Sequence, residues 1–305
     1  MFVLVLGASG FIGFPAAQAL ARAGHNVYGQ TRSSEKAIQL TKEEITPIVC
    51  APDSSDWHHL LCRFQQFPQH HLIPKVDVVI DAVGGMDVRA LDEAVISATS
   101  AATARLRPAG APKLAFVYTS GGWVHGDSRT EVVSDTTPLA SPHPFVAWRP
   151  ALERRVREEK VLNGIVVRPG LLYGKKGSLT EGLFKSARAG KAVWPGRPGG
   201  KLSVIHCDDL ADLYVRVAER APVLGGLVFD AANGVAESVD AILERLVAVS
   251  GANGYEFKEP TNPFEEAIAA SVITRPYLAH SLLGWVPKKA GLTDNLEVYY
   301  NASVA

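Results

Sequence analysis

The stretch Gly7-Ala8-Ser9-Gly10-Phe11-Ile12-Gly13 decides the fold. It follows the apolar run Phe2 to Leu6, which predicts a buried strand, and it precedes a predicted helix from Phe14 to Ala23. In this context the first glycine permits a tight turn, the second lets the backbone approach a pyrophosphate, and the third allows close helix–strand packing. The motif predicts a dinucleotide site in a Rossmann-type domain. The residues expected to contact the cofactor here are Gly7, Ser9, Gly10, Phe11 and Ile12.

The end of the next predicted strand, Asn26 to Gln30, indicates which dinucleotide is bound. In such domains an acidic residue at this point bonds the ribose hydroxyls of NAD. Here the chain continues with Thr31, Arg32 and Ser33, without an acid, and a guanidinium suits the 2′-phosphate of NADP through charge-assisted hydrogen bonds. We therefore expect NADP(H) as the cofactor, with these three residues contacting it.

The alternation of predicted strands and helices favours an α/β fold with a doubly wound parallel sheet. Further elements are expected as strands at 45–49, 76–81, 113–119, 164–168, 202–206 and 227–230, and as a helix at 150–159. We expect residues 1–169 to form a dinucleotide-binding core. Residues 170–305 are expected to form a small substrate-binding lobe, interleaved with elements that return to the sheet at about 202–230.

Composition limits the class of partner. The 31 basic and 31 acidic side chains balance, so no net charge favours nucleic acid or a membrane surface. Three cysteines without metal-ligand spacing favour a reducing compartment. The N-terminal apolar run is too short to span a membrane. We expect a cytoplasmic protein that binds a small molecule rather than nucleic acid or a membrane.

Three later segments carry a resemblance to a known family. They read Tyr118-Thr119-Ser120-Gly121-Gly122-Trp123-Val124-His125-Gly126, Arg168-Pro169-Gly170-Leu171-Leu172-Tyr173-Gly174 and Val204-Ile205-His206-Cys207-Asp208-Asp209-Leu210-Ala211. With the glycine loop, they resemble in order the motifs of the extended short-chain dehydrogenases/reductases, which include sugar-nucleotide epimerases. The resemblance implies that the first segment carries a catalytic Ser or Thr, and that the second, with Pro169, borders the nicotinamide.

The chain departs from that family's Tyr-x-x-x-Lys pair. None of the eight tyrosines has lysine four residues later. Where the resemblance places the pair, Phe145 stands in the Tyr position and Arg149 in the Lys position. A phenyl ring cannot transfer a proton, whereas Arg149 can still contact the cofactor ribose. We therefore expect an atypical member.

Three residues are candidates for the missing acid–base chemistry. Ser120 can polarise a substrate carbonyl, and the resemblance gives it that role. His125 belongs to the residue type that titrates near neutral pH. Tyr173 offers a phenol in the segment that the resemblance places near the nicotinamide. Each also has a structural interpretation: Ser120 can cap a turn, His125 can satisfy a backbone carbonyl, and Tyr173 can pack in the core.

Other side chains refine the expected ligands. The pairs His58-His59 and His70-His71 lack a carboxylate or Cys at ligand spacing, so no metal site is expected. Aromatic residues near the expected cleft favour an apolar or aromatic small molecule. These residues are Trp123, Phe145, Trp148, Tyr173 and Trp194.

Together these features favour an NADP-dependent reductase of a carbonyl or imine in a hydrophobic metabolite. Two alternatives stay open. One is a cofactor-binding isomerase, cyclase or epimerase without net redox change, and the other is a non-catalytic protein that senses NADP(H). The sequence is also compatible with a homodimer, since members of the resembled family often pair through helices.

Overall fold

The computed structural model describes residues 1–61, 76–85, 88–107 and 110–304. The strands are β1 (Phe2–Leu6), β2 (Asn26–Thr31), β3 (Thr46–Val49), β4 (Val78–Asp81), β5 (Leu114–Thr119), β6 (Val132–Val133), β7 (Leu162–Pro169), β8 (Leu171–Tyr173), β9 (Ala192–Pro195), β10 (Lys201–Leu202), β11 (Val204–His206), β12 (Val228–Ala231), β13 (Glu237–Ser238), β14 (Tyr255–Lys258) and β15 (Ile273–Thr274). The α-helices are α1 (Gly13–Arg22), α2 (Ser34–Lys42), α3 (Val88–Leu106), α4 (Arg149–Glu158), α5 (Glu181–Arg188), α6 (Cys207–Arg220), α7 (Val239–Ser250), α8 (Pro263–Ala269), α9 (Leu278–Leu283) and α10 (Leu296–Val304). Short 3-10 helices occupy Ser55–Leu61, Gly122–His125, Pro144–Val146 and Ala221–Val223.

The chain divides into two compact units, each assembled from three segments. The first unit comprises 1–119, 151–167 and 211–227. The second comprises 120–150, 168–210 and 228–305. The assignment of dinucleotide binding to residues 1–169 and of substrate binding to 170–305 stays a prediction.

The first unit contributes six neighbouring strands to the central parallel sheet, in the order β7-β5-β4-β1-β2-β3. Central β1 pairs in parallel with β2 on one side and with β4 on the other, so that Val3 lies opposite Val27 and Val78. The chain thus works outward from β1 first in one direction and then in the other, which is the doubly wound order. Residues Val3 to Leu6 are completely buried, as expected for a strand covered on both faces. The predicted Rossmann-type α/β fold is confirmed.

The second unit contains short strand pairs instead of one large sheet. β8 pairs with β11 and β9 with β14 in parallel, while β10 and β13 are antiparallel. The prediction of a single strand at 202–206 was wrong. The structure has two strands there, β10 and β11, on either side of Ser203. They separate because each pairs with a different partner. Helices α5, α7 and α10 supply much of this unit's apolar core, including Phe184, Leu243 and Leu296.

Among the helices in the described ranges, none is both long and apolar enough to cross a membrane.

Candidate functional site

The glycine loop of the first unit has room for backbone only. Gly7 has a φ of +72°, and a Cβ there would lie 2.7 Å from the carbonyl oxygen of Ala82. A Cβ on Gly13 would lie 2.2 Å from the carbonyl oxygen of Gly7. Between them, the N–H of Gly10 donates to that same oxygen at 2.9 Å and closes the turn. A side chain at Gly7 would clash with the backbone that follows β4, and a side chain at Gly13 would force the start of α1 away from the glycine loop.

The start of α1 suits an anionic ligand. Its N-cap residue is Ile12, which offers no side-chain acceptor, and the first turn contains no acidic residue. The N–H groups of this turn therefore keep the positive end of the helix dipole uncompensated by a protein carboxylate. A pyrophosphate fits these donors.

The end of β2 is tied to the glycine loop by polar side chains. The hydroxyls of Ser9 and Thr31 lie 2.8 Å apart, and Thr31 Oγ1 also accepts the N–H of Ser33 at 3.2 Å. Ser33 caps α2 by accepting the N–H of Lys36. Arg32, between Thr31 and Ser33 in the chain, is exposed. The structure thus brings predicted cofactor residues from two segments together in the first unit.

Gln30 is a residue of this region that sequence reasoning missed. Its Oε1 accepts the N–H of Gly7 at 2.9 Å, and its Nε2 donates to the carbonyl oxygen of Cys50. The side chain is almost completely buried. The available signal was a long polar side chain within a strand of the predicted central sheet.

The three catalytic candidates all lie in the second unit. Ser120 directly follows β5 and is buried. His125 ends the 3-10 helix Gly122–His125, and Tyr173 ends β8.

His125 forms a buried hydrogen-bonded pair with Asp230 of β12. Its Nε2 lies 3.1 and 3.0 Å from the two carboxylate oxygens, and both side chains are only 1% exposed. Arg168 Nη1 lies 3.8 Å from the same carboxylate. Burial raises the pKa of the Asp230 carboxyl, while the hydrogen bond from His125 acts in the opposite direction. The other imidazole nitrogen, Nδ1, is buried and has no hydrogen-bond partner among the described residues.

Sequence reasoning missed Asp230 because the pair is 105 residues apart in the chain. Its signal was a lone acid in the apolar strand β12. Asp135 holds this strand in place by accepting the N–H of Asp230, and it also accepts the N–H groups of Tyr277 and Leu278.

Tyr173 is engaged within the protein. Its hydroxyl donates to the carbonyl oxygen of Ala290 at 2.8 Å and lies 3.1 Å from the donating amide of Asn233. The ring is completely buried against His206 and Tyr299. Burial raises the pKa of the phenol well above its usual range. These contacts support the structural interpretation of Tyr173.

The segment around Phe145 is partly exposed. Phe145 lies in the 3-10 helix Pro144–Val146 and is 41% exposed. The guanidinium of Arg149 stacks over the ring of Trp148 at 4.6 Å. By contrast, Tyr173 and Trp194 belong to the core of the second unit. Among the five aromatic residues singled out in the sequence, Trp123, Phe145 and Trp148 therefore keep surface for a ligand.

His206, Cys207 and Asp208 lie close enough together to be considered as metal ligands, whereas the histidine pairs singled out in the sequence do not form such a group among the described residues. His59 Nδ1 lies 2.7 Å from the carbonyl oxygen of Asp56, and His70-His71 lie outside the described residues. In the part of the chain that the structure describes, the atoms of His206, Cys207 and Asp208 come within 4.8 Å of one another. However, Lys175 and Lys289 both contact the Asp208 carboxylate, at 2.6 and 3.2 Å, and burial raises the pKa of the Cys207 thiol to about 11. A protonated thiol and a lysine-paired carboxylate are poor metal ligands.

The fold and the glycine loop define a Rossmann-type dinucleotide-binding protein. Residues 3–228 match the NAD dependent epimerase/dehydratase family, and the chain belongs to that family. Membership confirms the resemblance seen in the sequence and assigns a nicotinamide dinucleotide as the class of cofactor, in a family made up mostly of enzymes.

Two relatives illustrate the range of this family. The chain is 26% identical to a UDP-glucose 4-epimerase of Mycolicibacterium smegmatis, over 99% of this chain and 100% of that protein. It is 25% identical to a 3-diazoavenalumate denitrifying reductase of a Streptomyces species, over 72% of each chain. The relatives thus include both an epimerase and a reductase.

Solved structures share the fold at lower identity. The human epimerase family protein SDR39U1 with NADPH superposes with a TM-score of 0.71 at 19% identity, covering 99% of each chain. A UDP-glucose 4-epimerase from Bifidobacterium longum, in complex with NAD⁺ and UDP, gives a TM-score of 0.75 at 16% identity, covering 99% of this chain and 97% of that one.

Proposed function

We propose that the protein is an NADP-dependent reductase that acts on a carbonyl or imine of a hydrophobic small molecule. The observation that carries the cofactor choice is the end of β2, where Arg32 is exposed and stands between Thr31 and Ser33 in the chain. No carboxylate stands between Asn26 and Ser34 to bond ribose hydroxyls. A guanidinium with neighbouring hydroxyls suits a 2′-phosphate. The name of the Streptomyces relative supports a reductase. Structures of similar fold hold NADPH in one case and NAD⁺ in another, so the choice of NADP depends on Arg32.

The glycine loop and the start of α1 would hold the pyrophosphate, and Arg32 the 2′-phosphate. When bound, the reduced dinucleotide supplies a hydride to the electrophilic carbon. The substrate oxygen or nitrogen must then receive a proton. His125 is our proposed donor, since the hydrogen bond between its Nε2 and the Asp230 carboxylate fixes the orientation of its ring. Ser120 would polarise the accepting atom by a hydrogen bond.

An epimerase without net redox change is the second candidate, favoured by the match along the full length of the mycobacterial enzyme. The two functions differ in one observable. A reductase consumes NADPH in step with substrate, whereas an epimerase leaves the total of reduced dinucleotide unchanged. Incubation with aromatic ketones and imines, followed by NADPH absorbance, therefore distinguishes them.

Calorimetric titration with NADPH, NADP⁺, NADH and NAD⁺ tests the cofactor choice. In Arg32→Ala, NADPH should bind roughly 10- to 100-fold more weakly, because hydrogen bonds to charged groups contribute about 1.5–3 kcal/mol. NADH binding should change less than about twofold on the same reasoning. Arg89→Ala, at an exposed arginine of α3, is the matched control and should bind like the unmodified protein. Equal losses for NADPH and NADH would refute the role of Arg32.

A further inference from the structure

Three aromatic side chains of the second unit meet although they come from separate stretches of the chain. Trp123 lies in the 3-10 helix Gly122–His125, Phe145 in the 3-10 helix Pro144–Val146, and Phe264 at the start of α8. Their ring centroids are 6.0 to 6.3 Å apart, and every pair meets edge to face. We call these three residues the ring triad.

Hydrogen bonds fix the backbone beneath the ring triad. The carbonyl oxygen of Trp123 accepts the N–H of His143 at 3.1 Å, and Nδ1 of His143 accepts the N–H of Phe145 at 3.3 Å. On the other side, Asn262 caps α8 by accepting the N–H of Glu265 at 3.0 Å. Because the rings stand on ordered turns, a ligand that covers them has little backbone to order.

The exposed area of the ring triad indicates the size of its ligand. Phe145 is 41% and Phe264 is 40% exposed, while Trp123 packs against the core of the second unit. A fully covered aromatic side chain buries about 150–250 Å², so the two phenyl rings expose roughly 150 Å² together. A stable protein interface needs about 800 Å² from each partner. The two rings alone supply a small fraction of that area, and they match one flat ring system in size.

The charges next to the ring triad indicate the kind of ring. Burial lowers the pKa of His143, which favours its neutral form, and Glu266 and Asp127 are close enough to act on it electrostatically. Two carboxylates in this neighbourhood repel an anionic ligand. An uncharged aromatic group is therefore favoured over an aromatic carboxylate.

We propose that the ring triad is a binding site for an uncharged, planar aromatic group of a small molecule, with Phe145 and Phe264 as its contact surface. The statement that this small molecule is also the substrate of the reductase rests on the proposed function. The binding site itself rests on the rings, their rigid support and their exposed area.

The test is a binding experiment without turnover. The full chain is titrated by calorimetry with 2-acetylnaphthalene, with cyclohexyl methyl ketone, which has no aromatic ring, and with 2-naphthoate, which carries a negative charge. The naphthyl ketone should bind most tightly. Phe145→Leu and Phe264→Leu should each weaken it about 3- to 10-fold, in line with the strength of aromatic pairs. Tyr277→Leu, at an aromatic residue of the same unit that is 63% exposed, is the matched control and should leave binding unchanged.

Several outcomes would overturn the proposal. The proposal fails if the naphthyl ketone does not bind, or if the cyclohexyl ketone binds equally well. It also fails if both phenylalanine variants bind the naphthyl ketone as tightly as the unmodified protein while their thermal unfolding is the same. A shift in oligomeric state in those variants would show that a second copy covers the rings, and would overturn it too. If the naphthyl ketone binds through the ring triad but no NADPH is consumed, the proposed reductase function fails and the binding site stands.

Discussion

Replacing His125 by leucine probes the buried pair that His125 forms with Asp230 in the second unit. The substitution removes the hydrogen-bond donor that lies 3.0 Å from Asp230, and it leaves a carboxylate that is 1% exposed. Breaking a buried pair by removing one partner costs about 3–5 kcal/mol. The nearby guanidinium of Arg168, at 3.8 Å, compensates part of the charge, so we expect about 3 kcal/mol at neutral pH.

The pH dependence identifies the cause of that loss. Burial raises the pKa of the Asp230 carboxyl above its value in the unfolded chain. A raised folded-state pKa means that this group's contribution to stability is complete below the unfolded pKa and is lost as pH rises through the folded one. In His125→Leu the penalty should therefore shrink as pH falls from 7 to 5, since the stranded carboxylate can take up a proton.

Urea unfolding followed by circular dichroism, at both pH values, gives the free energies. His280→Leu, at an exposed histidine of α9 in the same unit, is the control and should change stability by less than about 0.5 kcal/mol. Asp230→Asn keeps the shape of the acceptor and should cost less than His125→Leu. The reasoning is refuted if His125→Leu costs under about 1 kcal/mol at pH 7, or if its penalty does not shrink at pH 5.

Two further predictions follow from burial and close packing. In Gly164→Ala a Cβ would lie 1.8 Å from the carbonyl oxygen of Val156, so β7 and α4 must separate. Thermal unfolding should show that the free energy of unfolding falls by about 1–3 kcal/mol. Gly182→Ala, where the space is open, is the control and should not destabilise the protein. Cys207 is 2% exposed with its pKa raised to about 11, so iodoacetamide at neutral pH should spare it in the folded protein and modify it in urea. Cys50 is half-buried, and its burial and the nearby carboxylates of Asp56 and Asp53 raise its pKa, so in the folded protein it should react slowly but faster than Cys207. Rapid labelling of folded Cys207, read by peptide mass spectrometry, would contradict this burial.

The features that the sequence predicted best are those that show in residues close together in the chain. The glycine loop requires small residues because Gly7 and Gly13 approach backbone atoms, and this requirement shows in seven consecutive positions. Strands covered on both faces, such as β1, show as continuous apolar runs. The division of 202–206 into two strands was not visible, because it depends on distant pairing partners.

Side chains that meet across long stretches of the chain escaped prediction for the same reason. Asp230 contacts His125 from 105 residues away, and Phe264 of α8 contacts Phe145 from a distant part of the chain. Residue type and local spacing give no information about such a contact, since the tertiary fold alone brings the partners together. The candidate residues His125 and Phe145 were therefore identifiable, but their environments were not.

The contacts around His125 and Tyr173 indicate which of the two is the better candidate for proton transfer. A phenol can act as a proton donor only when its hydroxyl hydrogen can reach the substrate, and the hydroxyl of Tyr173 already donates to the carbonyl oxygen of Ala290. The imidazole of His125 differs, because a carboxylate holds Nε2 while Nδ1 has no hydrogen-bond partner among the described residues. A ring fixed by a carboxylate on one nitrogen, with its second nitrogen unengaged, is the arrangement that general acid–base chemistry uses. The contacts therefore favour His125 over Tyr173 as the residue to which proton transfer should first be traced.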